Sequence, residues 1–167
     1  RYGNVLGSRG SILLELLKQK ENNKNFKITD LKMTRFNITM DESLDFILKA
    51  SIHGKGSEIF VPKLKSYVLS DLKNALTELL QDTGSKVIGI RPGEKIHEEM
   101  ITANESQDIF DIGQYYVLLP SKDFAQRKKY SKFERIKYGF SYSSDKNKDF
   151  LNLTDLRKLV KKYMKQY

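Results

Sequence analysis

Three arginines in separate segments, Arg9, Arg35 and Arg91, are the first residues whose type could bind a ligand. Each is predicted to lie in a loop or at the end of a strand, where a long side chain can reach outward. A guanidinium group holds a phosphate through two parallel hydrogen bonds, which a lysine cannot reproduce. Arginines delivered from separate loops would suit a diphosphate, although any one of them alone is more commonly an ordinary surface residue.

The segment 90–98 contains the most informative spacing in the chain. Its Pro92-Gly93 pair predicts a tight turn that fixes the directions of Arg91 and Glu94. On such a turn the arginine can meet a phosphate, and the carboxylate can accept hydrogen bonds from ribose hydroxyls. His97 stands alone near a predicted helix start, and we interpret it as a packed or capping residue.

Neither a metal site nor a thiolate site is predicted, because the chain has no cysteine and only two histidines, which are far apart in sequence. His53 is expected to lie at a helix end, where it interacts with the helix dipole. The hydroxyl-rich segment 142–147 fits two interpretations. It is either a turn whose side chains satisfy the backbone, which we favour, or a flap over a polar ligand.

Strands and helices must position the candidate residues named above. Strand and helix patterns alternate along the sequence, which predicts an α/β chain. A glycine-rich loop at 3–10 precedes the first helix. Thr39 with Glu42 predicts a capping box, and Ser70 predicts the cap of a later helix. Residues 121–137 are polar and basic without a clear period. The predicted helices are 11–20, 39–54, 70–80, 96–101 and 154–163, and the predicted strands are 26–29, 35–38, 58–62, 86–90 and 115–119.

The net charge of +9 raises the question of nucleic-acid binding, but the distribution of charge argues against it. Residues 1–120 carry no net charge, so the whole excess lies in residues 121–167. We interpret this tail as a solvated lysine-rich surface, with an acidic partner as the alternative. With 39% hydrophobic and 31% charged residues the chain fits a globular protein, and no apolar run is long enough to span a membrane.

Four segments resemble the extended short-chain dehydrogenase/reductases in order, spacing and residue identity: 1–11, 33–36, 58–63 and 89–98. Within that superfamily they resemble the inverting UDP-N-acetylglucosamine 4,6-dehydratases of surface polysaccharide and flagellin-glycan precursor synthesis. Tyr142-Ser143-Ser144 with Asn147 is also similar to this subgroup. The resemblance is dense over residues 1–101 and scattered beyond them.

The resemblance implies a Rossmann-type α/β fold in which an N-terminal domain binds NAD(P) and a smaller C-terminal domain binds the nucleotide sugar. The family's catalytic Tyr-x-x-x-Lys pair precedes the Tyr-Gly-Asn segment, which here begins at Tyr2. We therefore expect a C-terminal fragment without catalytic residues, inactive alone and lacking most of the cofactor site. Residues 1–120 would be the nucleotide-sugar-binding part, and residues 121–167 a basic extension that ends in a helix.

The resemblance also implies roles for individual residues. Asn4 would contact the diphosphate region, Arg35 and Arg91 the phosphates, and Glu94 the ribose. The other implied positions are Tyr2 near the nicotinamide, Lys27, Ile28 and Thr29 along the uracil through backbone contacts, and Ser8 and Arg9 in the wall of the same cleft.

For the intact enzyme, the resemblance implies dehydration of a UDP-sugar in the cytoplasm by a homo-oligomer that uses NAD(P). Hydride would leave C4 of the sugar for the cofactor, water would be lost across C5 and C6, and hydride would return to C6. An epimerase or a retaining dehydratase of the same fold is the enzyme alternative. A non-catalytic module that binds acidic partners or nucleic acid through the basic tail is the alternative from another class.

Overall fold

The computed structural model describes residues 1–22, 24–80, 84–119 and 124–165. It is a mixed α/β structure with parallel and antiparallel strand pairs, which confirms the predicted class. The helices are α1 (Ile12–Glu21), α2 (Met40–His53), α3 (Leu69–Leu79), α4 (Phe124–Tyr130) and α5 (Leu153–Met164), with a 3₁₀ helix at Ala103–Asp108. The strands are β1 (Phe26–Ile28), β2 (Thr34–Asn37), β3 (Ile59–Pro62), β4 (Lys65–Val68), β5 (Ser85–Val87), β6 (Glu99–Ile101), β7 (Ile109–Asp111), β8 (Tyr115–Leu118), β9 (Glu134–Arg135) and β10 (Tyr142–Ser143).

The strands form small sheets. β1 pairs with β5 in parallel, and β2 pairs with β4 in the antiparallel sense. β3, β8, β7 and β9 form an antiparallel sheet in that order, and β6 pairs with β10. An isolated parallel bridge joins Val5 to Ile38, and another joins Thr34 to His97. These two bridges hold the N-terminal loop and the segment 90–98 against the two ends of β2.

One hydrophobic core lies where α1, α3 and α5 meet β1. Apolar residues at helical spacing turn inward from all three helices, and Phe26 and Ile28 of β1 are fully buried among them. A second core, rich in aromatic residues, lies under β2 and the antiparallel sheet, with Phe36 at its centre. The first core supports the segments that carry the candidate site.

Helix α2 begins with the predicted capping box. Glu42 N–H donates to Thr39 Oγ1 at 3.3 Å, and Thr39 N–H donates to Glu42 Oε2 at 2.7 Å. The helix buries Phe46, but Leu48 and Ile52 on the same helix remain 63% and 73% exposed. The apolar stripe of α2 is thus only partly covered by this chain.

The predicted helix at 96–101 is wrong, because residues 99–101 form β6. The partner strand β10 comes from about forty residues later, and the two are locked by Ser144 N–H donating to Glu98 O at 2.8 Å. The local sequence pattern around residues 96–101 cannot reveal a partner strand so distant in sequence. Pairing with that strand outweighs the helix propensity of such a short segment.

The predicted cap at Ser70 is also wrong. Helix α3 begins at Leu69 with Val68 before it, and no side chain caps it. Strand β4 runs directly into the helix, so the Leu69 N–H finds a tertiary acceptor in Met33 O at 2.8 Å. That contact satisfies one of the N–H groups that a capping serine would otherwise serve.

Residues after 123 pair with the strands and pack on the helices that come before them in the chain. Strand β9 extends the antiparallel sheet, β10 pairs with β6, and α5 packs on α3. The predicted unpatterned stretch 121–137 contains α4 and β9, while the proposed boundary between residues 120 and 121 lies outside the described residues. No helix among the described residues has the length and apolarity needed to cross a membrane.

Candidate functional site

A cavity of about 360 Å³ lies between the N-terminal loop, α1, β1 and the turn at 91–94. We call it the cleft. It gathers eight of the nine residues that the sequence analysis assigned to substrate binding: Asn4, Ser8, Arg9, Lys27, Thr29, Arg35, Arg91 and Glu94. These eight residues come from four separate segments that converge on one space, although their roles toward a ligand stay predictions.

The turn that carries Arg91 and Glu94 has the predicted construction. Glu94 N–H donates to Arg91 O at 3.0 Å, and Gly93 has a φ of +81°, which Pro92-Gly93 supplies in a type II turn. The Glu94 carboxylate accepts from Arg91 N–H and from Thr29 Oγ1, each at 3.3 Å. Each carboxylate oxygen keeps a free lone pair, so Glu94 can accept further hydrogen bonds from a ligand.

Arg35 is held differently from Arg91. Its Nη1 donates to Thr34 O at 2.8 Å and to Ile96 O at 2.9 Å, while Nη2 donates to Lys95 O at 3.0 Å and contacts Met33 Sδ at 3.5 Å. The terminal N–H groups therefore already have acceptors, and the guanidinium anchors the segment 95–96 to β2. Arg91 is exposed, and no hydrogen bond of its guanidinium is seen within the described residues.

The first turn of α1 faces the cleft. Ser8 N–H donates to Val5 O at 3.2 Å, and Ser11 N–H donates to Ser8 O at 2.9 Å, which leads the loop into the helix. Gly7 has a φ of +77°, and a Cβ there would lie 2.2 Å from Tyr163 Cε1 of α5, so only glycine fits. Ser11 lines the cleft, and its buried Oγ has no hydrogen-bond partner among the described residues.

Gln19 connects α1 to β1 at the inner end of the cleft. Its Oε1 accepts from Lys27 N–H at 2.7 Å, and its Nε2 donates to Glu15 Oε1 at 3.0 Å. The sequence analysis missed Gln19 and Ser11, although a polar residue on the buried face of an amphipathic helix was an available signal for Gln19. A serine just before a helix was the signal for Ser11.

Tyr67 is another lining residue that the sequence analysis missed, and it lies in β4 with 2% of its surface exposed. Burial raises the pKa of its hydroxyl, and the nearby Glu98 raises it further. Burial also raises the pKa of Glu98, although the Phe36 N–H, which donates to it at 2.9 Å, and Arg35 act in the opposite direction. No sequence signal marked Tyr67, since it reads as an ordinary strand residue.

Two assigned residues do not reach the cleft. Ile28 is fully buried in β1, and its carbonyl accepts from Ile88 N–H at 2.8 Å. The Tyr2 ring is 41% exposed and meets Phe46 edge-on, with centroids 6.2 Å apart. Tyr2 thus lies on the α2 side of the molecule, near the uncovered apolar stripe.

His97 and the hydroxyl-rich segment 142–147 lie beside the cleft in a hydrogen-bond network. Thr34 Oγ1 is 2.8 Å from His97 Nδ1 and 2.7 Å from the fully buried Ser144 Oγ, which also accepts from Glu98 N–H at 2.9 Å. The buried Tyr142 hydroxyl bonds both to the N–H and to the carbonyl of Leu64. Residues 142–144 therefore form packed structure, whereas Asp145 and Lys146 are exposed.

The charges that line the cleft favour an anionic ligand. Arg9, Lys27 and Arg91 are exposed there, and the lining acids are Glu15 and Glu94. The N-terminal turn of α1 adds partial positive charge, because its first N–H groups have no partner within the helix. Within the described ranges, no group of three or more His, Cys, Asp or Glu side chains could hold a metal ion.

Comparison with protein families gives a match over residues 1–120 to a family described as polysaccharide biosynthesis protein. Among curated proteins, the chain is similar to a UDP-N-acetylglucosamine 4,6-dehydratase (inverting) from Campylobacter jejuni. The two are 39% identical over 168 residues, which cover 96% of this chain and 49% of the relative. A UDP-glucose 4-epimerase from Rickettsia felis is 32% identical over 162 residues, covering 96% of this chain and 48% of the relative.

Among solved structures, the X-ray structure of Pen from Bacillus thuringiensis matches with a TM-score of 0.84 and 30% sequence identity. The match covers 98% of this chain and 49% of that chain. The chain thus spans about half the length of the curated relatives it matches.

Proposed function

Because the chain belongs to the polysaccharide biosynthesis protein family, we propose that it is the nucleotide-sugar-binding portion of an enzyme that modifies UDP-sugars. The convergence of eight of the nine assigned residues on the cleft carries this proposal. The cavity, of about 360 Å³, lies within the size range of small-molecule sites. For the intact enzyme the proposed reaction is 4,6-dehydration of UDP-N-acetylglucosamine in the cytoplasm.

The diphosphate would lie between Arg91, Arg9 and the first turn of α1. Arg91 projects from a rigid turn with a guanidinium free to bind two phosphate oxygens. The N-terminal N–H groups of α1 offer further donors to an anion. Asn4, which is exposed at the cleft, adds a side-chain amide that can donate to the same group.

The ribose and base would lie toward β1. Glu94 keeps lone pairs for ribose hydroxyls, and Thr29 holds its carboxylate in place. Lys27 borders the position for the base, with its N–H already given to Gln19. Arg35 acts in this proposal as a positioning residue, because it supports the segment that carries Arg91 and Glu94.

NAD(P) is the cofactor that we propose for the intact enzyme, and Tyr2 is the one residue of this chain assigned to it. The sequence has no Gly-x-Gly-x-x-Gly fingerprint. Tyr2, the one residue assigned to the cofactor, packs on Phe46 outside the cleft. The cofactor would be held largely by parts of the intact enzyme beyond these residues.

Calorimetry with UDP and UDP-N-acetylglucosamine on this chain tests the proposed ligand. Arg91→Ala should weaken UDP binding by about 1.5–3 kcal/mol, the contribution of hydrogen bonds to a charged group. Lys137→Ala, which removes an exposed charge far along the tail, is the matched control and should bind as the parent does. Unchanged UDP affinity in both Arg91→Ala and Glu94→Gln would contradict the assignment of the cleft.

A nucleotide-sugar 4-epimerase is the second candidate, because the Rickettsia felis epimerase aligns over the same 96% of the chain. The two reactions give different products from UDP-N-acetylglucosamine. A longer polypeptide that includes this chain, supplied with NAD(P)+, should release a 4-keto-6-deoxy sugar nucleotide. Appearance of the C4 epimer without loss of water would favour the second candidate.

A further inference from the structure

The hydroxyl of Tyr67 is a polar group in the wall of the cleft that has no hydrogen-bond partner among the described residues. Only 2% of the surface of Tyr67 is exposed. The enclosed side-chain atoms that lack a partner do not include its oxygen, so part of the exposed surface belongs to the hydroxyl. The hydroxyl is therefore open to the cleft, and a ligand can reach it.

The ring of Tyr67 is held in one place by the first hydrophobic core. The buried residues of that core include Leu6 of the N-terminal loop, Leu16 of α1 and Met33. Tyr67 lies in β4 directly opposite Arg35 of β2, and side chains in such a pair lie on the same face of the sheet. Because a close-packed core resists rearrangement, the hydroxyl is already positioned before a ligand arrives.

The surroundings of this hydroxyl keep it protonated. Burial raises the pKa of Tyr67 and the nearby Glu98 raises it further, while Arg35 acts in the opposite direction. A neutral phenol can donate its O–H to an acceptor. Glu98 does not line the cleft, and its carboxylate accepts from Phe36 N–H at 2.9 Å. The Tyr67 hydroxyl can thus donate at neutral pH to an acceptor that enters the cleft.

A phosphate oxygen is the acceptor that suits this part of the wall. Arg35 stands opposite Tyr67 and keeps its positive charge although its terminal N–H groups bond to carbonyls, and Arg9 and Arg91 also line the cleft. Glu94 accepts hydrogen bonds and faces the ribose hydroxyls in the proposed arrangement. A hydrogen bond to a charged acceptor is about twice as strong as one between neutral groups. The charges around Tyr67 therefore favour an anionic acceptor over a neutral one.

We propose that the Tyr67 hydroxyl donates a hydrogen bond to a phosphate oxygen of a nucleoside diphosphate bound in the cleft. This inference rests on the nucleotide-sugar function proposed above, and it adds a ligand contact that the arginines and the first turn of α1 do not supply. Tyr67 offers a short, uncharged donor from the buried part of the wall, whereas Arg9 and Arg91 approach from exposed segments. A nucleoside without phosphate leaves the hydroxyl unpaired, so Tyr67 selects phosphorylated ligands.

Calorimetry with UDP on the parent chain and on Tyr67→Phe tests the proposal. Loss of the hydroxyl should weaken UDP binding about tenfold or more, because a hydrogen bond to a charged group is lost. In a nuclear magnetic resonance titration with uridine, which has no phosphate, the same variant should bind as the parent does. Tyr142→Phe is the matched control and should keep the UDP affinity of the parent, because the Tyr142 hydroxyl bonds to Leu64 outside the cleft.

Urea denaturation without ligand separates a ligand contact from a structural hydrogen bond. Tyr67→Phe should be as stable as the parent or slightly more stable, because no partner within the protein is lost. Tyr142→Phe should be less stable, because the Leu64 backbone loses a donor and an acceptor. A clear loss of stability in Tyr67→Phe would mean that the hydroxyl pairs with Glu98 inside the protein and would overturn the proposal.

The ligand titrations distinguish failure of this inference from failure of the proposed function. Unchanged UDP affinity in Tyr67→Phe, together with weaker binding in Arg91→Ala, would overturn the inference and leave the proposed function in place. Equal losses of UDP and uridine affinity in Tyr67→Phe would place the hydroxyl at the ribose or the base and would also overturn it. A parent chain that binds neither UDP nor UDP-N-acetylglucosamine would contradict the proposed function, and the inference with it.

Discussion

The Arg91–Glu94 turn and the His97–Glu98 stretch are neighbours in one segment, yet the structure uses them differently. The turn is exposed at the cleft, and among the described residues the Arg91 guanidinium has no hydrogen-bond partner, while the Glu94 carboxylate can accept further hydrogen bonds. The stretch after it is tied to Thr34 and Ser144 by short hydrogen bonds. Arg35 lies between the two and bonds to the carbonyls that join them.

A sequence motif rich in charged residues therefore need not bind a ligand along its whole length. The Arg91–Glu94 turn has polar groups that a ligand could bind. The His97–Glu98 stretch is hydrogen-bonded to Thr34 and Ser144 and holds the turn in place. Substitutions in the two halves should therefore separate into effects on ligand affinity and effects on the free energy of unfolding.

The largest effect is expected at Ser144. Ser144→Ala removes the acceptor of Glu98 N–H and the partner of Thr34 Oγ1, so the free energy of unfolding should fall by about 3 kcal/mol. Urea denaturation measures this loss. Ser51→Ala, in which an exposed hydroxyl bonds within α2, is the control and should change stability little. A Ser144→Ala protein as stable as the parent would remove the basis for the comparison.

Arg35→Ala should have the next effect, because its terminal nitrogens serve three carbonyl oxygens of the segment and of β2. We expect a loss of about 2 kcal/mol in the free energy of unfolding together with weaker UDP binding. Arg91→Ala should lower only UDP affinity, with stability within about 0.5 kcal/mol of the parent. Equal stability losses in the two variants would show that the arginines share one role.

Gly93→Ala tests the rigidity of the turn. Its φ of +81° is unfavourable for alanine, and the cost should be about 1 kcal/mol of stability. UDP affinity should fall too, because Arg91 and Glu94 are both displaced. No atom lies within 4 Å of an added Cβ at Gly93, so any effect reports backbone conformation and not a clash. Normal UDP affinity in this variant would mean that the turn does not position the ligand.

The smallest effect is expected from Glu98. Burial raises its folded pKa above the usual 4.5, so the protein loses stability as pH rises through the folded pKa and has the full contribution below pH 4.5. Glu98→Gln should abolish this loss, which makes the variant equal to or slightly more stable than the parent at pH 7. Thermal melts of both proteins from pH 4 to pH 8 measure it. A parent that gains relative stability on raising the pH would contradict the sign.

Much of the fold followed from local patterns. Four features lie where they were predicted, within one or two residues at their ends: the Thr39–Glu42 capping box, the strands β3 and β8, and the helix α5. The family resemblance is confirmed by the match over residues 1–120. These elements are readable because caps, periodicity and turn chemistry act within a few residues.

The Arg91–Glu94 turn could be predicted from its own residues, since Pro92-Gly93 sets the backbone angles locally. The sequence also predicted which residues line the cleft, but it did not show which of them are available to a ligand and which hold the structure together. Three outcomes needed the tertiary structure. Arg35 is held by backbone carbonyls whereas the Arg91 guanidinium has no partner among the described residues, Ile28 and Tyr2 lie away from the cavity, and residues 99–101 form a strand. Each of these outcomes depends on partners distant in sequence, and a long-range hydrogen bond leaves no trace in the local pattern that precedes it.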